Sequence, residues 1–450
     1  MPSDPTNAPN NPSKRLTPQE LSGVLQRHRR FVAQQSGGAR ANLAFHDLSG
    51  VDLTDCDLSG ADLSGAKLQR AILARVNLRT ASLFAADLRL ADLREADLTR
   101  ADLRGATLRG AVLDDAILVE ADLREGVLAQ SDRNRELRAV TYEASPADMV
   151  CVVARRADLS HAKMSNAFVV QTDFSDANLF RVKLAGADLR NATLTGSILE
   201  GADLTGCNMT GANLQGAVLT NAMWNGAILE GADLRGAIYD KIALTSAADY
   251  TSARRVKPFA DLGVDMAKVL SDHAKWISSS GYSGAQARLS ELDLTEFNFA
   301  KAHLSAAQLD YCVLAGCDFS GAELLMTNFA YADLREANLA RANLRGANLR
   351  RATLIRADLR NTDFGAMDHV GTADSQWPAD LELAKLGGAN LGSAKLRGAR
   401  LVGADLTAAD LTDVDLSGAD LENANLSEAI TKGLNLSGAN LKNVRGLPSL

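Results

Sequence analysis

Residues 86–105 read ADLRLADLREADLTRADLRG, in which one five-residue unit is written four times in succession. Leu occupies the centre of every copy, from Leu88 to Leu103, and the two residues before it are Ala and Asp. The same spacing continues without exception from Leu43 to Leu128, so that 18 consecutive units place Leu at every fifth position. A repeat of this regularity outweighs every other signal in the chain when the fold is predicted.

A period of five fits neither an α-helix nor a straight strand. On a helix, five residues advance by about 500°, so the Leu side chains would spiral around the axis instead of forming a stripe. On a strand, an odd spacing sends successive Leu side chains to opposite faces. A chain that bends once in each unit brings every Leu to one interior, and the Gly, Ser, Thr, Arg and Asn of the last two positions suit such a bend.

The unit A-(D/N)-L-x-x, as in Gly60–Ser64 (GADLS) and Gly231–Arg235 (GADLR), resembles the motif of the pentapeptide-repeat family. The resemblance covers roughly residues 41–445, apart from three interruptions. It implies an all-β solenoid, a right-handed quadrilateral parallel β-helix with four units per coil. The Leu and the small residue two positions earlier would point inward, and adjacent coils would lie about 4.8 Å apart, as strands do.

Shifts in the Leu register predict a duplicated organisation, with short capping α-helices and two tandem units. A disordered tail at 1–15 precedes a capping helix at 16–40, and a linker with a second capping helix lies at 246–286. The two helices share the pattern Val-Leu-x-x-His-x-x-aromatic, in which His28 precedes Phe31 and His273 precedes Trp276. Each helix is expected to cover the open first coil; the alternative is that it docks a partner. The predicted β-helix blocks are 41–130, 149–245, 287–369 and 379–446, with interruptions at 131–148 and 370–378.

Composition excludes several classes of protein. The net charge of −7 is a mild acidic excess, which argues against general or direct nucleic-acid binding. The sequence has no apolar stretch long enough for a membrane span, and its first residues lack the apolar core of a signal peptide. A cytoplasmic setting is therefore the default expectation. Neither the composition nor the repeat indicates an oligomeric state.

No arrangement of residues predicts catalysis, a cofactor or a metal. The chain has five Cys but no CxxC pair, and the HExxH, P-loop and GxSxG motifs are absent. The repeat explains four of the cysteines, because they replace the small interior residue: Cys56, Cys207, Cys312 and Cys317. The six His are scattered without ligand spacing, at His28, His46, His161, His273, His303 and His369. The chain is therefore not expected to be an enzyme.

An excess of Arg between 335 and 360 is the strongest departure from a uniform surface. This candidate interaction patch comprises Arg335, Arg341, Arg345, Arg350, Arg351, Arg356 and Arg360. One interpretation is a solvated face whose Arg pair with nearby Asp and Glu. The other is a compact basic patch that binds an anionic partner. Under the duplication, Arg335 and Arg350 correspond to Arg89 and Arg104.

The leading functional prediction is a non-catalytic protein-interaction scaffold, because a solenoid keeps its core while its outward residues vary. A protein partner, possibly anionic, is expected. The family resemblance implies a rival: a DNA-mimic type protein that binds a type II topoisomerase such as gyrase. Those relatives have strongly acidic surfaces, whereas this chain is rich in Arg and only mildly acidic. A further alternative is a peripheral membrane or envelope-associated protein held through basic patches.

Overall fold

The computed structural model describes residues 14–126, 129–131, 137–139, 146–295, 297–368 and 376–447. Residues 1–13 of the predicted tail, Leu128, His369 and most of both interruptions lie outside the described residues, whereas Arg15, which was expected in the tail, forms a parallel bridge with Asp47. The helices are α1 (Pro18–Val32), α2 (Lys241–Leu244) and α3 (Met266–Ser278), with a 3-10 helix at Phe259–Leu262. The strands are β1 (Ala129–Ser131), β2 (Leu137–Ala139), β3 (Val218–Leu219), β4 (Ile238–Tyr239), β5 (Lys257–Pro258), β6 (Leu292–Asp293), β7 (Met367–Asp368) and β8 (Gln376–Trp377). The pairs β1–β2 and β7–β8 are antiparallel, and β5–β6 is parallel.

The chain folds as two compact units, which comprise Met1–Asp233 with Tyr239–Ala253, and Leu234–Ile238 with Arg254–Leu450. Each unit is built mainly from single-residue parallel bridges between positions 20 apart in sequence. In the first unit, for example, Asn42 bridges Asp62, which bridges Ser82 in the next coil. Four pentads therefore complete one coil, and the predicted parallel β-helix is confirmed.

The inserted residues do not end either ladder. In the first unit Thr107 bridges Asp148, and the N–H of Leu108 donates to the carbonyl of Asp148 at 2.7 Å. In the second unit Asn348 bridges Asp380 in the same way. The coils on the two sides of each insertion are thus direct neighbours within one continuous ladder.

Two residues from each pentad form the interior. Leu63, Leu88 and Leu103 are at most 1% exposed, as the sequence predicts. The small residues two positions earlier, such as Ala61 and Ala86, are equally buried. Burying one Leu side chain stabilises the fold by about 1.5–3 kcal/mol. Larger side chains fill some central positions and are also buried: Phe174, Trp224, Phe299, Phe319, Phe329 and Phe364.

The last two residues of each pentad form a corner of the coil. The N–H of Ala61 donates to the carbonyl of Leu58 at 3.0 Å and closes a four-residue turn. The second corner residue has a positive φ, which is 66° at Gly60 and 58° at Arg100. A type II turn requires this left-handed conformation at its third position, so Gly suits the corner best. The frequent Gly in the repeat is explained by this turn.

Helices α1 and α3 each place a His against the start of a ladder. The Nδ1 atom of His28 accepts the N–H of Ala41 at 3.0 Å, and Nδ1 of His273 accepts the N–H of Ala287 at 3.0 Å. A nitrogen that accepts carries no proton, so the proton of each neutral ring is on Nε2. Both rings are fully buried, and neither Nε2 has a hydrogen-bond partner among the described residues. Burial accordingly lowers the pKa of both imidazoles.

One predicted pentad is wrong. Leu244 was expected to be the last centre of the block at 149–245, but it lies in α2. The carboxylate of Asp240 caps this helix and accepts the N–H groups of Ile242 and Ala243 at 2.8 and 3.2 Å. This cap favours a helical turn over another corner. Across the residues that the structure describes, no helix has the length and apolarity needed to cross a bilayer.

Candidate interaction surface

Asp-Leu-Arg runs are a recurrent surface feature of both units. In Asp358-Leu359-Arg360, the Asp358 carboxylate accepts the N–H of Arg360 at 3.1 Å and two guanidinium donors at 2.9 and 2.6 Å. These bonds from Arg360 hold the pKa of Asp358 below its ordinary value. The same geometry occurs at Asp87 and Arg89, Asp92 and Arg94, Asp102 and Arg104, Asp122 and Arg124, Asp188 and Arg190, and Asp333 and Arg335. The charge of each of these Asp is therefore matched locally.

The seven Arg of the predicted patch are distributed over all four corners of the coil. Successive pentads lie on successive faces, so residues that are close in sequence are carried around the solenoid. Going around the coil, the corners hold Arg350 with Arg351, Arg335 with Arg356, Arg341 with Arg360, and Arg345. The structure does not contain the single compact basic patch that was expected.

At least four of these seven Arg pair with carboxylates of the described residues. The pairs are Arg335 with Asp333 at 2.7 Å, Arg350 with Glu382 at 2.9 Å, Arg356 with Glu336 at 2.7 Å, and Arg360 with Asp358 at 2.6 Å. The Arg335 pair is the most enclosed, since the Asp333 side chain is 3% exposed. Burial alone would lower the pKa of Arg335, but the Asp333 carboxylate outweighs it and raises the pKa. These four Arg contribute to the local structure of the coils.

The other three Arg have different surroundings. Arg351 lies over the ring of Tyr331, with its guanidinium carbon 5.8 Å from the ring centroid. Arg345 donates to the side-chain oxygen of Asn343 at 3.3 Å. Within the described parts of the chain, neither Arg341 nor Arg345 has a carboxylate within ion-pair distance. These two Arg occupy the corners on either side of one face, with Asn343 between them.

The corresponding Arg of the first unit are paired. Arg89 and Arg104 both belong to Asp-Leu-Arg runs, and Arg104 also lies 5.2 Å from the centroid of the Phe84 ring. Arg350 differs from Arg104 because Asn348 stands where the first unit has an Asp. It reaches instead to Glu382 in the adjacent coil.

Sequence reasoning overlooked two lysines of the first unit that lie in adjacent coils. Lys163 and Lys183 occupy the outward position where Asp or Asn is usual, and their backbones bridge each other. The signal was present in the sequence, since the two lysines are one 20-residue coil apart. The 20-residue spacing of the two lysines becomes informative only once the length of a coil is known.

Three of the five cysteines are buried interior residues. Cys207, Cys312 and Cys317 are buried at the small interior position, as predicted, while Cys56 is half-buried. The three buried thiols donate to the carbonyls of Leu184, Leu289 and Leu294. Burial raises the pKa of these three thiols to about 12. Wherever the chain is described, no three His, Cys, Asp or Glu residues lie close enough to hold a metal ion.

Several solved structures are similar to this chain. A pentapeptide-repeat protein from the thylakoid lumen of Arabidopsis thaliana is 30% identical over 18% of this chain and 65% of its own, slightly less than two thirds, with a TM-score of 0.17. HetL, a pentapeptide-repeat protein involved in heterocyst differentiation regulation in Nostoc, is 21% identical over 95% and 96% of the two chains, with a TM-score of 0.13. Full-length QnrB1, a plasmid-mediated fluoroquinolone resistance protein, is 21% identical over 44% and 86%, with a TM-score of 0.19. No curated protein matches the sequence.

A family model described as pentapeptide repeats matches both units of the chain. The matched residues are 39–73, 47–83, 61–100, 91–128, 172–211, 212–239, 287–324, 327–365, 384–423 and 419–445. Together these ranges cover more than half of the sequence. With its period of five, its coil of four pentads and this match, the chain belongs to the pentapeptide-repeat family.

Proposed function

We propose that this protein is a non-catalytic scaffold that binds a protein partner through the corners of its second unit. The observation that carries the proposal is that, among the residues the structure describes, Arg341 and Arg345 have no carboxylate within ion-pair distance, whereas Arg356 and Arg360 each have one. An exposed ion pair contributes only about 0–1 kcal/mol, so replacing any of these four Arg should lower the stability of the fold only slightly. An Arg without such a pair keeps its donors available for a carboxylate on another protein.

The arrangement of the solenoid supports this function. Along one corner column of the second unit, consecutive coils present Tyr311, Tyr331, Arg351 and Leu383, while the central interior positions before these corners remain Leu or Phe. In such a solenoid the outward side chains can vary from coil to coil while the backbone and the interior stay the same. Interaction with a partner is the function that such a frame serves best.

DNA mimicry is the weaker candidate. A protein that imitates DNA needs columns of uncompensated negative charge, whereas at least seven Asp of the described residues accept a guanidinium from the Arg two residues later. Ion pairs of this geometry reduce the potential along the columns that would imitate phosphates. No contact among the described residues favours an envelope-associated role.

The finer architecture belongs to the same proposal. We infer that the chain consists of two tandem, right-handed units, each made of a capping helix and a solenoid. Both units would derive from one ancestral unit by duplication. The matching hydrogen bonds that the N–H groups of Ala41 and Ala287 donate to His28 and His273, both 3.0 Å long, support the duplication. We place the protein in the cytoplasm, where its free cysteines would remain reduced.

A pull-down with charge-reversed baits tests the proposed surface. The full chain carrying Arg341→Glu and Arg345→Glu should lose a partner that the wild type retains at low salt and releases at high salt. The matched control carries Arg356→Glu and Arg360→Glu, which changes the net charge equally at ion-paired corners. The control should retain the partner. Equal loss in both variants, or retention by both, would refute the assignment to Arg341 and Arg345.

A further inference from the structure

A cleft of about 610 Å³ lies on one face of the first unit, beside the coils that contain Lys163 and Lys183. The outward column of this face reads Asp102, Asp122, Lys163, Lys183 and Asp203 in consecutive coils. The two lysines therefore stand between acidic residues on both sides, Asp122 in the coil before and Asp203 in the coil after. They are direct neighbours, and both side chains are exposed.

The lysine pair does not stabilise the ladder. The N–H of Lys163 donates to Ala121 and the N–H of Lys183 donates to Ala162, both at 2.9 Å. Their backbones are thus held at the strand spacing of about 4.8 Å. Like charges directly opposite each other on adjacent strands are destabilising. An anion between the two ammonium groups would relieve this repulsion.

The neighbouring corner adds two more donors. His161 and Arg181 each lie two residues before one of the lysines, on the same two coils. Phe180 orients both, because the His161 ring meets its edge at 5.4 Å and the Arg181 guanidinium lies 4.9 Å from its centroid. The backbone positions of the four residues form a two-by-two array, about 5 Å apart along the solenoid and about 7 Å across it.

The carboxylates of the cleft already have partners of their own. Asp102 pairs with Arg104 at 2.8 Å, and Glu120 pairs with Arg100 at 2.7 Å. Asp122 pairs with Arg124 at 2.7 Å. In the described residues, by contrast, no carboxylate lies within ion-pair distance of the three other permanent cations, which are Lys163, Lys183 and Arg181. The cleft therefore contains three positive charges that form no direct ion pair with a described carboxylate, together with the imidazole of His161.

We propose that this cleft binds a phosphoryl group, supplied either by a small phosphate anion or by a phosphorylated protein segment. A phosphate dianion or a diphosphate matches three positive charges better than a single carboxylate does. Its oxygens also accept donors from several directions at once, as a two-by-two array requires. The site lies in the first unit and shares no residue with the surface proposed above, so either proposal stands or fails alone.

Calorimetric titration of the full chain with pyrophosphate, and separately with inorganic phosphate, tests the site. Binding should be saturable at low salt and should weaken as salt is added. The double variant Lys163→Gln with Lys183→Gln should lower the affinity about tenfold or more. Lys67→Gln is the matched control, because Lys67 occupies the same outward position between Asp47 and Asp87. Absence of saturable binding, or an equal loss in the Lys67 variant, would overturn the proposal.

Two further measurements separate the site from general electrostatics. Pyrophosphate should raise the melting temperature of the wild type, whereas Lys183→Gln should raise the ligand-free melting temperature and abolish the shift. Arg181→Gly, which suits the φ of 52° at that corner, should also weaken binding without unfolding the coil. An equal shift in wild type and Lys183→Gln would contradict the proposal. Tighter binding of a phosphopeptide than of pyrophosphate identifies a protein source, and the reverse identifies a small anion.

Discussion

Replacing Leu401 by Ala tests whether the interior is a rigid stack. Leu401 is fully buried between Leu381 and Leu421, which lie in the coils on either side. Removing its side chain beyond Cβ costs about 2.4 kcal/mol of transfer free energy, at ~0.8 kcal/mol per carbon. The N–H of Leu381 donates to Arg400 and that of Leu401 donates to Asp420, both at 2.7 Å. These bonds prevent the coils from closing the cavity, so the total loss of stability should be about 3–5 kcal/mol.

Leu441→Ala is the matched control for this substitution. Leu441 belongs to the same column, one coil beyond Leu421, but it is only half-buried. Truncating Leu441 removes less buried apolar surface than truncating Leu401 does, and it leaves no closed cavity. We expect a loss of about 1 kcal/mol at this position.

Native-state hydrogen exchange by mass spectrometry measures both variants coil by coil. Local readout is needed because a solenoid does not have to unfold in one step. Leu401→Ala should speed exchange of the amides of Leu381 and Asp420 by about a hundredfold to several thousandfold, at about 1.4 kcal/mol per factor of ten. Equal effects of the two substitutions, or less than a tenfold change for Leu401→Ala, would show that the interior adapts to the cavity.

Two other predictions concern buried groups. Burial lowers the pKa of His28 and His273 below 6.5, so below about pH 6.5 the unfolded chain binds more protons than the folded chain. Both helices should therefore lose stability as the pH falls from about 6.5 through the pKa of the folded state. Above about pH 6.5 these two His should cause no loss of stability. The ring of Trp276 stacks on that of His273 with 5.6 Å between the centroids, so its fluorescence should report the loss of helix stability in the wild type but not in His273→Gln. A wild-type fluorescence signal that does not respond to acid would contradict the argument. Cys151 is exposed and should react with a thiol reagent in the native protein at neutral pH. The thiols of Cys207, Cys312 and Cys317 are buried and have a pKa of about 12, so peptide mapping should find them modified only after the protein is unfolded. Labelling of these three thiols in the native protein would be inconsistent with the structure.

The sequence predicts the fold well because one physical requirement repeats in every pentad. Each Leu must reach a common interior, and a spacing of five permits that only if the chain turns once per unit. The outward Asp and Asn follow from the same geometry, since their side-chain oxygens accept the N–H two residues later, as Asp62 does from Ser64 at 3.0 Å. Such local rules act within a few residues and are visible in the sequence.

The surface is less predictable because its contacts join residues a full coil apart. Arg341 and Arg345 are close in sequence but occupy different corners, whereas Lys163 and Lys183 are distant in sequence and adjacent in space. Whether an Arg pairs within its pentad or across coils depends on a single neighbour, as Asn348 shows for Arg350. The helix at Leu244 likewise depends on one cap, which competes with the repeat.

The left-handed corners make this protein suited to scanning with glycine instead of alanine. At a corner such as Arg341, where φ is 61°, alanine would keep the unfavourable backbone conformation, whereas glycine adopts it without steric cost. A glycine substitution there removes the side chain and leaves the turn intact. A library of single corner glycines would therefore consist largely of folded proteins, and any variant that loses an activity would mark the residues on which that activity depends.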